Sequence, residues 1–388
     1  MSLLSRFCLL VLLATPLTVL AQPASAPQRP NLLFIAVDDL RPELGCYGAE
    51  HMVTPALDRL AASGTVFERA YCNVAVCGAS RASLMSGLRP TAERFVRYTA
   101  RHDEQAPEVP GLAEHFREHG YHTISNGKVY HYAADTPESW SEPAWRPESG
   151  YLDFKIPRNK ALNSSKRSRG PAYEAAEVPD NAYHDGQLAD KAVDDLYRLR
   201  EMESPFFLAV GFIKPHLPFV APARYWRLYD RREIDLADNP FFPLNAPEEA
   251  FYTWGEMRSY AFIPREGPVS DAMARTLRHG YYACTSYVDA QIGRIVDTLE
   301  RLQMADNTII VVWGDHGFQL GEHGFWCKHT NFEVASRVPL IIRDPRQPAG
   351  QRITRLVEFV DLYPTLCELA GLERPGHLAG DSMAPLLQ

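Results

Sequence analysis

Asn31-Leu32-Leu33-Phe34-Ile35-Ala36-Val37 is apolar after its first residue and stops abruptly at Asp38-Asp39. A short continuous run of this kind reads as a strand buried on both faces, as in a parallel sheet covered by helices. Working outward, three further runs end in the same way. Residues 121–125 form a weaker strand pattern that stops near Lys128 and His131. Residues 206–213 run into Lys214-Pro215-His216, and residues 308–313 run into Gly314-Asp315-His316. Helical patterns lie between them, at 54–63 with an N-cap Thr54 and Pro55 behind it, at 109–119 with Gly120 as the stop, and at 283–303. Alternating strands and helices predict an α/β fold with a mostly parallel central sheet and helices on both faces. Ligands in such sheets bind beyond the carboxyl ends of the strands. All four runs deliver charged or imidazole groups there.

The chain has 388 residues, 46% hydrophobic and 23% charged, enough for a large core and unlike a disordered composition. Its net charge of -8 argues against a nucleic-acid partner. At the N-terminus Arg6 precedes an apolar run from Phe7 to Leu20, and Val19-Leu20-Ala21 supplies a cleavage pattern. Residues 1–21 are therefore expected to be a signal peptide and 22–388 one catalytic domain. The apolar run is short for a membrane span, and Cys8 sits away from the cleavage position, so no stable membrane anchor is expected. The expected location is periplasmic or extracellular, or lysosomal in a eukaryote. Six cysteines follow the leader, at 46, 72, 77, 284, 327 and 367, with no CxxC pair or zinc-like spacing. Cys284 and Cys367 read as small buried hydrophobes.

Asp38, Asp39 and Asp315 offer oxygen ligands suited to Ca²⁺ or Mg²⁺, and His316 can bind the metal or a substrate oxygen. Either Asp38-Asp39 or Asp315-His316 alone reads as a solvated turn or strand cap; their convergence on one sheet edge is what favours a metal site. The most specific segment is Cys77-Gly78-Ala79-Ser80-Arg81, which continues through Ala82-Ser83-Leu84-Met85-Ser86 to Gly87. It resembles the formylglycine motif of the type I sulfatases, Cys-x-Pro/Ala-Ser-Arg with a closing Gly. Other segments follow in matching order: Val37-Asp38-Asp39-Leu40-Arg41, Gly127-Lys128-Val129-Tyr130-His131, Lys214-Pro215-His216-Leu217-Pro218-Phe219, Trp313-Gly314-Asp315-His316-Gly317, Gly321-Glu322-His323-Gly324 and Lys328. Within the sulfatases these are most similar to the iduronate-2-sulfatase group, over residues 31 to about 369.

The resemblance implies an alkaline-phosphatase-like fold and a secreted hydrolase of sulfated carbohydrates, a polysaccharide-degrading activity. It implies that Cys77 is oxidised to formylglycine by a maturation enzyme and sits with Asp38, Asp39, Asp315 and His316 around a calcium ion, magnesium being the alternative. It further implies that Arg81, Lys128 and Lys328 offset the sulfate charge, aided by the N-terminus of the helix that Cys77 opens. His216 contacts the sulfate and protonates the departing sugar oxygen, and His131 is the base for sulfate release. The family's small C-terminal antiparallel subdomain is expected to be truncated or absent, leaving a sheet edge uncovered. Two other functions fit the motifs: a phosphodiester or phosphonate hydrolase of the same superfamily, and an inactive carbohydrate-binding relative with Cys77 still a thiol. The basic stretch from Arg158 to Arg169 reads as a mobile solvated loop rather than a polysaccharide site. Tyr225, Trp226 and Tyr229 read as packing residues.

Overall fold

The computed structural model describes residues 29–164 and 169–388. The expected leader and the middle of the basic stretch lie outside the described residues. Strand β1 (Asn31–Val37) forms where the apolar run predicts it, and every side chain from Leu32 to Val37 is buried. It belongs to an eight-stranded sheet with β2 (Thr65–Tyr71), β3 (His122–Gly127), β4 (Phe206–Phe212), β5 (Thr308–Gly314), β6 (Arg337–Val338), β7 (Leu340–Arg343) and β8 (Gln351–Glu358). The order is β6-β2-β7-β5-β1-β4-β3, with β8 paired to β2. β1 pairs in parallel with β4 and β5, β3 with β4, and β8 with β2. Only β6 and β7 run antiparallel to their neighbours.

The period of two along β1 divides the core. Leu33, Ile35 and Val37 face one side, where they pack with α1 (Pro55–Ala62), α4 (His184–Arg200) and α5 (Asp271–Arg301) through Leu57, Leu196 and Ile292. Leu32, Phe34 and Ala36 face the other, against α2 (Cys77–Ser86), α3 (Leu112–Glu118) and α6 (Leu362–Leu369) through Met85, Phe116 and Leu366. Each such fully buried side chain contributes about 1.5–3 kcal/mol relative to exposure. The sheet is therefore held as the middle layer of three, and its strand ends are fixed relative to one another.

Two expectations change. α5 begins at Asp271 rather than 283, capped by the Ser270 side chain, which accepts from the Met273 N–H. Residues 276–282 are buried on every side of the helix, which erases the amphipathic period there. The basic stretch is also partly helical, over Pro157–Ser164, because Asn159 is buried and donates to Glu174 at 2.9 Å. Tyr225 and Trp226 are buried, as packing residues should be. Beyond Leu369 the described residues contain only a short helical turn, Ala384–Leu386, and no antiparallel subdomain. β8 is the edge strand; its pairing to β2 is irregular between Ile353 and Leu356, a break that blunts an edge. Among the described residues no helix is long and apolar enough to cross a membrane.

Candidate active site

Successive strand residues point to opposite faces, so Asp38 and Asp39 can serve one site only if the chain turns as β1 ends. It does: Asp39 adopts φ +61°, a left-handed conformation that Asp tolerates better than most residues. Its N–H then donates to Asp315 Oδ1 at 3.1 Å, joining the ends of β1 and β5. Asp38, Cys77, Asp315 and His316 offer ligand atoms that all lie within 4.8 Å of one another, and Asp39 forms an overlapping group with Cys77 and His216. Asp38, Asp39, Asp315 and His316 are fully buried. Among the described residues Asp38 Oδ1 accepts no hydrogen bond, and Arg81 Nη2 stands 3.6 Å away, which leaves this buried oxygen under-satisfied. Hard oxygens with one imidazole, and an oxygen without a hydrogen bond, fit a divalent cation such as calcium or magnesium.

The same cluster explains the electrostatics. Burial opposes ionisation of Asp38, but Lys128, His216 and Arg81 outweigh it and hold this carboxyl well below its usual range. Asp315 moves the other way, raised by burial and by the neighbouring Asp38. A cation between them would relieve that repulsion.

Cys77 is the first residue of α2, and all ten residues of that helix are buried. A Cβ on the next residue, Gly78, would lie 2.0 Å from the Tyr98 carbonyl oxygen, so only glycine lets the helix start this close to the loop. Cys77 Sγ lies 3.1 Å from His316 Nε2. Burial and Asp38 push the thiol well above its ordinary value against the pull of Lys128 and Lys328, so an unmodified Cys77 stays protonated and is a weak nucleophile. Arg81, one turn along, donates from Nε to Asp315 Oδ2 at 2.9 Å and from Nη1 to the carbonyls of Lys128 and Val129. Its Nη2 makes no hydrogen bond among the described residues and stands 3.6 Å from Asp38 Oδ1, an ion-pair distance.

The remaining predicted residues line a cavity of about 530 Å³ over Cys77, walled by Lys128, His131, His216 and Lys328. Lys128 follows Gly127, whose φ is +74°; a Cβ there would meet the Gly211 carbonyl of β4 at 2.3 Å. The Lys128 ammonium pairs with Asp38 Oδ2. Lys328 sits between two left-handed residues, Cys327 at φ +71° and His329 at φ +69°, strain of the kind functional sites retain. Its Nζ lies 3.1 Å from Asp39 Oδ1 and 2.9 Å from Glu256 Oε2. His216 Nδ1 is 2.6 Å from the Leu217 carbonyl, and Nε2 is 3.0 Å from Glu256 Oε1. Burial and Lys128 lower His131 to about 3, leaving a neutral ring whose Nδ1 has no partner. Lys214, by contrast, turns inward, donating to the carbonyls of His216 and Pro218.

Glu256 and Arg146 are among the wall residues that were not anticipated. Glu256, on the helical turn Gly255–Arg258, bridges His216 and Lys328, and nothing in its local sequence marks it. Arg146 is held by the carbonyls of Gly127, Tyr130 and His131 and has no carboxylate partner among the described residues. Its neighbours Trp145 and Pro147 gave no signal either. Glu322 and His323 lie away from the cavity wall; Glu322 pairs with Arg41 at 2.8 Å and accepts from the Leu320 N–H.

Residues 30–372 match the protein family described as Sulfatase. The chain is 36% identical to iduronate 2-sulfatase of Mus musculus, covering 96% of this chain and 73% of that protein. It is 35% identical to iduronate 2-sulfatase of Homo sapiens, over 89% of this chain and 70% of that one. A crystal structure of the phosphonate monoester hydrolase of Agrobacterium radiobacter aligns with a TM-score of 0.72 at 28% identity, covering 92% of this chain and 77% of that one.

Proposed function

The chain belongs to the sulfatase family and is a sulfuric ester hydrolase, and from that premise we propose that residues 22–388 form an exported catalytic domain, behind a leader at 1–21, that removes sulfate from an acidic sugar. The observation that carries this reading is the placement of Cys77: first in a buried helix, 3.1 Å from His316, and at the floor of a cavity walled by cations. We take Cys77 to be oxidised to formylglycine by a maturation enzyme, because the protonated thiol is a poor nucleophile where it stands. Hydrated, that residue supplies one hydroxyl to attack sulfur and a second whose deprotonation releases sulfate. A calcium or magnesium ion held by Asp38, Asp39, Asp315, His316 and residue 77 supplies Lewis acidity when bound.

The chain's own side chains do the rest. Arg81 fixes Asp315 through Nε and turns Nη2 toward Asp38 in the same cluster. Lys128, just past the end of β3, and Lys328 offset the charge of the sulfate. His216 protonates the departing sugar oxygen from Nε2, since Nδ1 is committed to the Leu217 carbonyl. His131, whose Nδ1 has no hydrogen bond among the described residues, accepts the proton that sulfate release requires; the bound sulfate offsets the Lys128 charge that helps to depress its basicity before substrate binds. Arg146 and Arg169 add positive charge to the cavity beyond the reacting sulfate, which favours a sugar bearing another anionic group, as iduronate does.

The likeness to a phosphonate monoester hydrolase supports a second reading, a phosphodiester or phosphonate hydrolase. Steady-state turnover of a sulfate monoester and a matched phosphodiester by the matured protein separates the two. Higher kcat/KM on the sulfate ester is expected, and faster phosphodiester hydrolysis would overturn the sulfatase reading of this site.

A further inference from the structure

Glu256 comes from none of the strand ends that build the site. It lies on the separate turn Gly255–Arg258, yet its two carboxylate oxygens reach the imidazole and the ammonium assigned to opposite tasks. Oε1 is 3.0 Å from His216 Nε2, and Oε2 is 2.9 Å from Lys328 Nζ. Lys328 has a second anchor in Asp39. His216 Nε2 has no other partner among the described residues. Because Nδ1 faces the Leu217 carbonyl at 2.6 Å, Nε2 is the only ring position from which a proton can move.

We infer that Glu256 is a positioning residue: before substrate binds, its Oε1 holds the Nε2–H that the departing oxygen later takes over, which keeps the His216 ring turned toward the cavity, and its Oε2 ties that ring to the sulfate clamp Lys328. The inference rests on the sulfatase reading of the same site. As the new S–O bond forms at residue 77, the old S–O bond breaks and its electron pair leaves with the sugar oxygen. That oxygen takes the Nε2 proton, and the ring becomes neutral. A carboxylate spanning donor and clamp keeps both at a fixed separation, and a proton donor displaced from reach loses most of its effect.

A poor alkoxide leaving group needs that proton and an activated aryl oxide does not, which gives the test. Glu256→Gln and Glu256→Asp are prepared in the matured full-length protein, and kcat and KM are measured on a sugar sulfate and on 4-nitrophenyl sulfate. The expected result for Glu256→Gln is a fall in kcat on the sugar sulfate of about 100-fold, within the usual range for general acid catalysis, with only a few-fold loss on the aryl ester. Glu256→Asp, which keeps the charge on a shorter arm, is expected to recover part of the difference and serves if the Gln variant does not fold. Equal losses on both esters would overturn the inference, as would a lower KM at unchanged kcat, the sign of a carboxylate that merely competes for the place of sulfate. A wild-type protein silent on both esters would overturn the sulfatase reading itself, and this inference with it.

Discussion

Arg81 Nε lies 2.9 Å from Asp315 Oδ2, and neither side chain is exposed to solvent. This contact ties the helix that begins at Cys77 to the end of β5. Replacing one member of a buried pair leaves the other charge unpaired, at a cost of about 3–5 kcal/mol. Arg81→Met is therefore expected to lower the unfolding free energy, read from denaturant titration, by that order, and more in chelator than with saturating divalent cation, which would still balance Asp315. An unchanged free energy in both conditions would show that Asp315 does not depend on Arg81.

Chelation should abolish turnover, and calcium or magnesium should restore it. Because the fully buried Asp38, Asp39 and Asp315 repel one another without a cation, the metal should also raise the melting temperature. Cation at 100 times its Kd would add about 2.7 kcal/mol to stability. Activity and melting temperature that both ignore chelator would remove the metal site from the account.

Cys77→Ala should cost about three orders of magnitude in kcat or more, as loss of a nucleophile does. Cys77→Ser separates the chemistry further. It has one hydroxyl, so it can be sulfated but has no second hydroxyl to expel sulfate. Intact-mass measurement should find a sulfated protein and no sustained turnover; steady turnover by the serine variant would show that formylglycine is not required.

Arg146 presents a guanidinium to the cavity and, among the described residues, hydrogen-bonds only to carbonyls. Arg146→Ala is expected to raise KM about tenfold, the equivalent of 1.4 kcal/mol, on a sulfated uronic acid. On 4-nitrophenyl sulfate, which carries no second anion, KM should hardly change. Parallel changes on both would assign Arg146 to the reacting sulfate instead.

Stability should also depend on pH through Asp289, away from the site. This α5 residue accepts the N–H groups of Ala56 and Leu57 at the start of α1, at 3.1 and 2.7 Å. Burial raises its carboxyl to about 7, against the pull of those N–H groups. The folded value exceeds that of the unfolded chain, about 3.9, so the folded state holds more protons between the two. The associated stability is full below the unfolded value and is lost as pH rises through about 7. Thermal melts should show the wild type falling relative to Asp289→Asn across that window; parallel curves would contradict the assignment.

Much of this arrangement was legible before any coordinates. The apolar run at 31–37 specifies a strand buried on both faces, and its abrupt polar ending locates one corner of the site. The motif at Cys77 marks the start of a helix at that residue, with an arginine one turn along it. What escaped has physical causes. α4 has Leu188, Leu196 and Leu199 at helical spacing, but its many charged residues dilute the signal. Residues 276–282 of α5 are buried all round and have no amphipathic period. Glu256 and Arg146 act through tertiary contacts alone, with a turn and a set of backbone carbonyls that pattern does not reveal. The left-handed turns at Asp39, Cys327 and His329 were equally invisible, because none of these positions is glycine.

The complete burial of the helix at 77–86 has a consequence for the life history of the molecule. On the proposed chemistry, an oxidising partner must grip Cys77 and its neighbours, and a folded chain withholds them. The modification therefore belongs to the interval between synthesis and folding. Each copy is committed in that interval as active or inert, and no later encounter can convert one into the other. The specific activity of a preparation would thus record a race during biogenesis, and slowing folding in the producing cell should increase it.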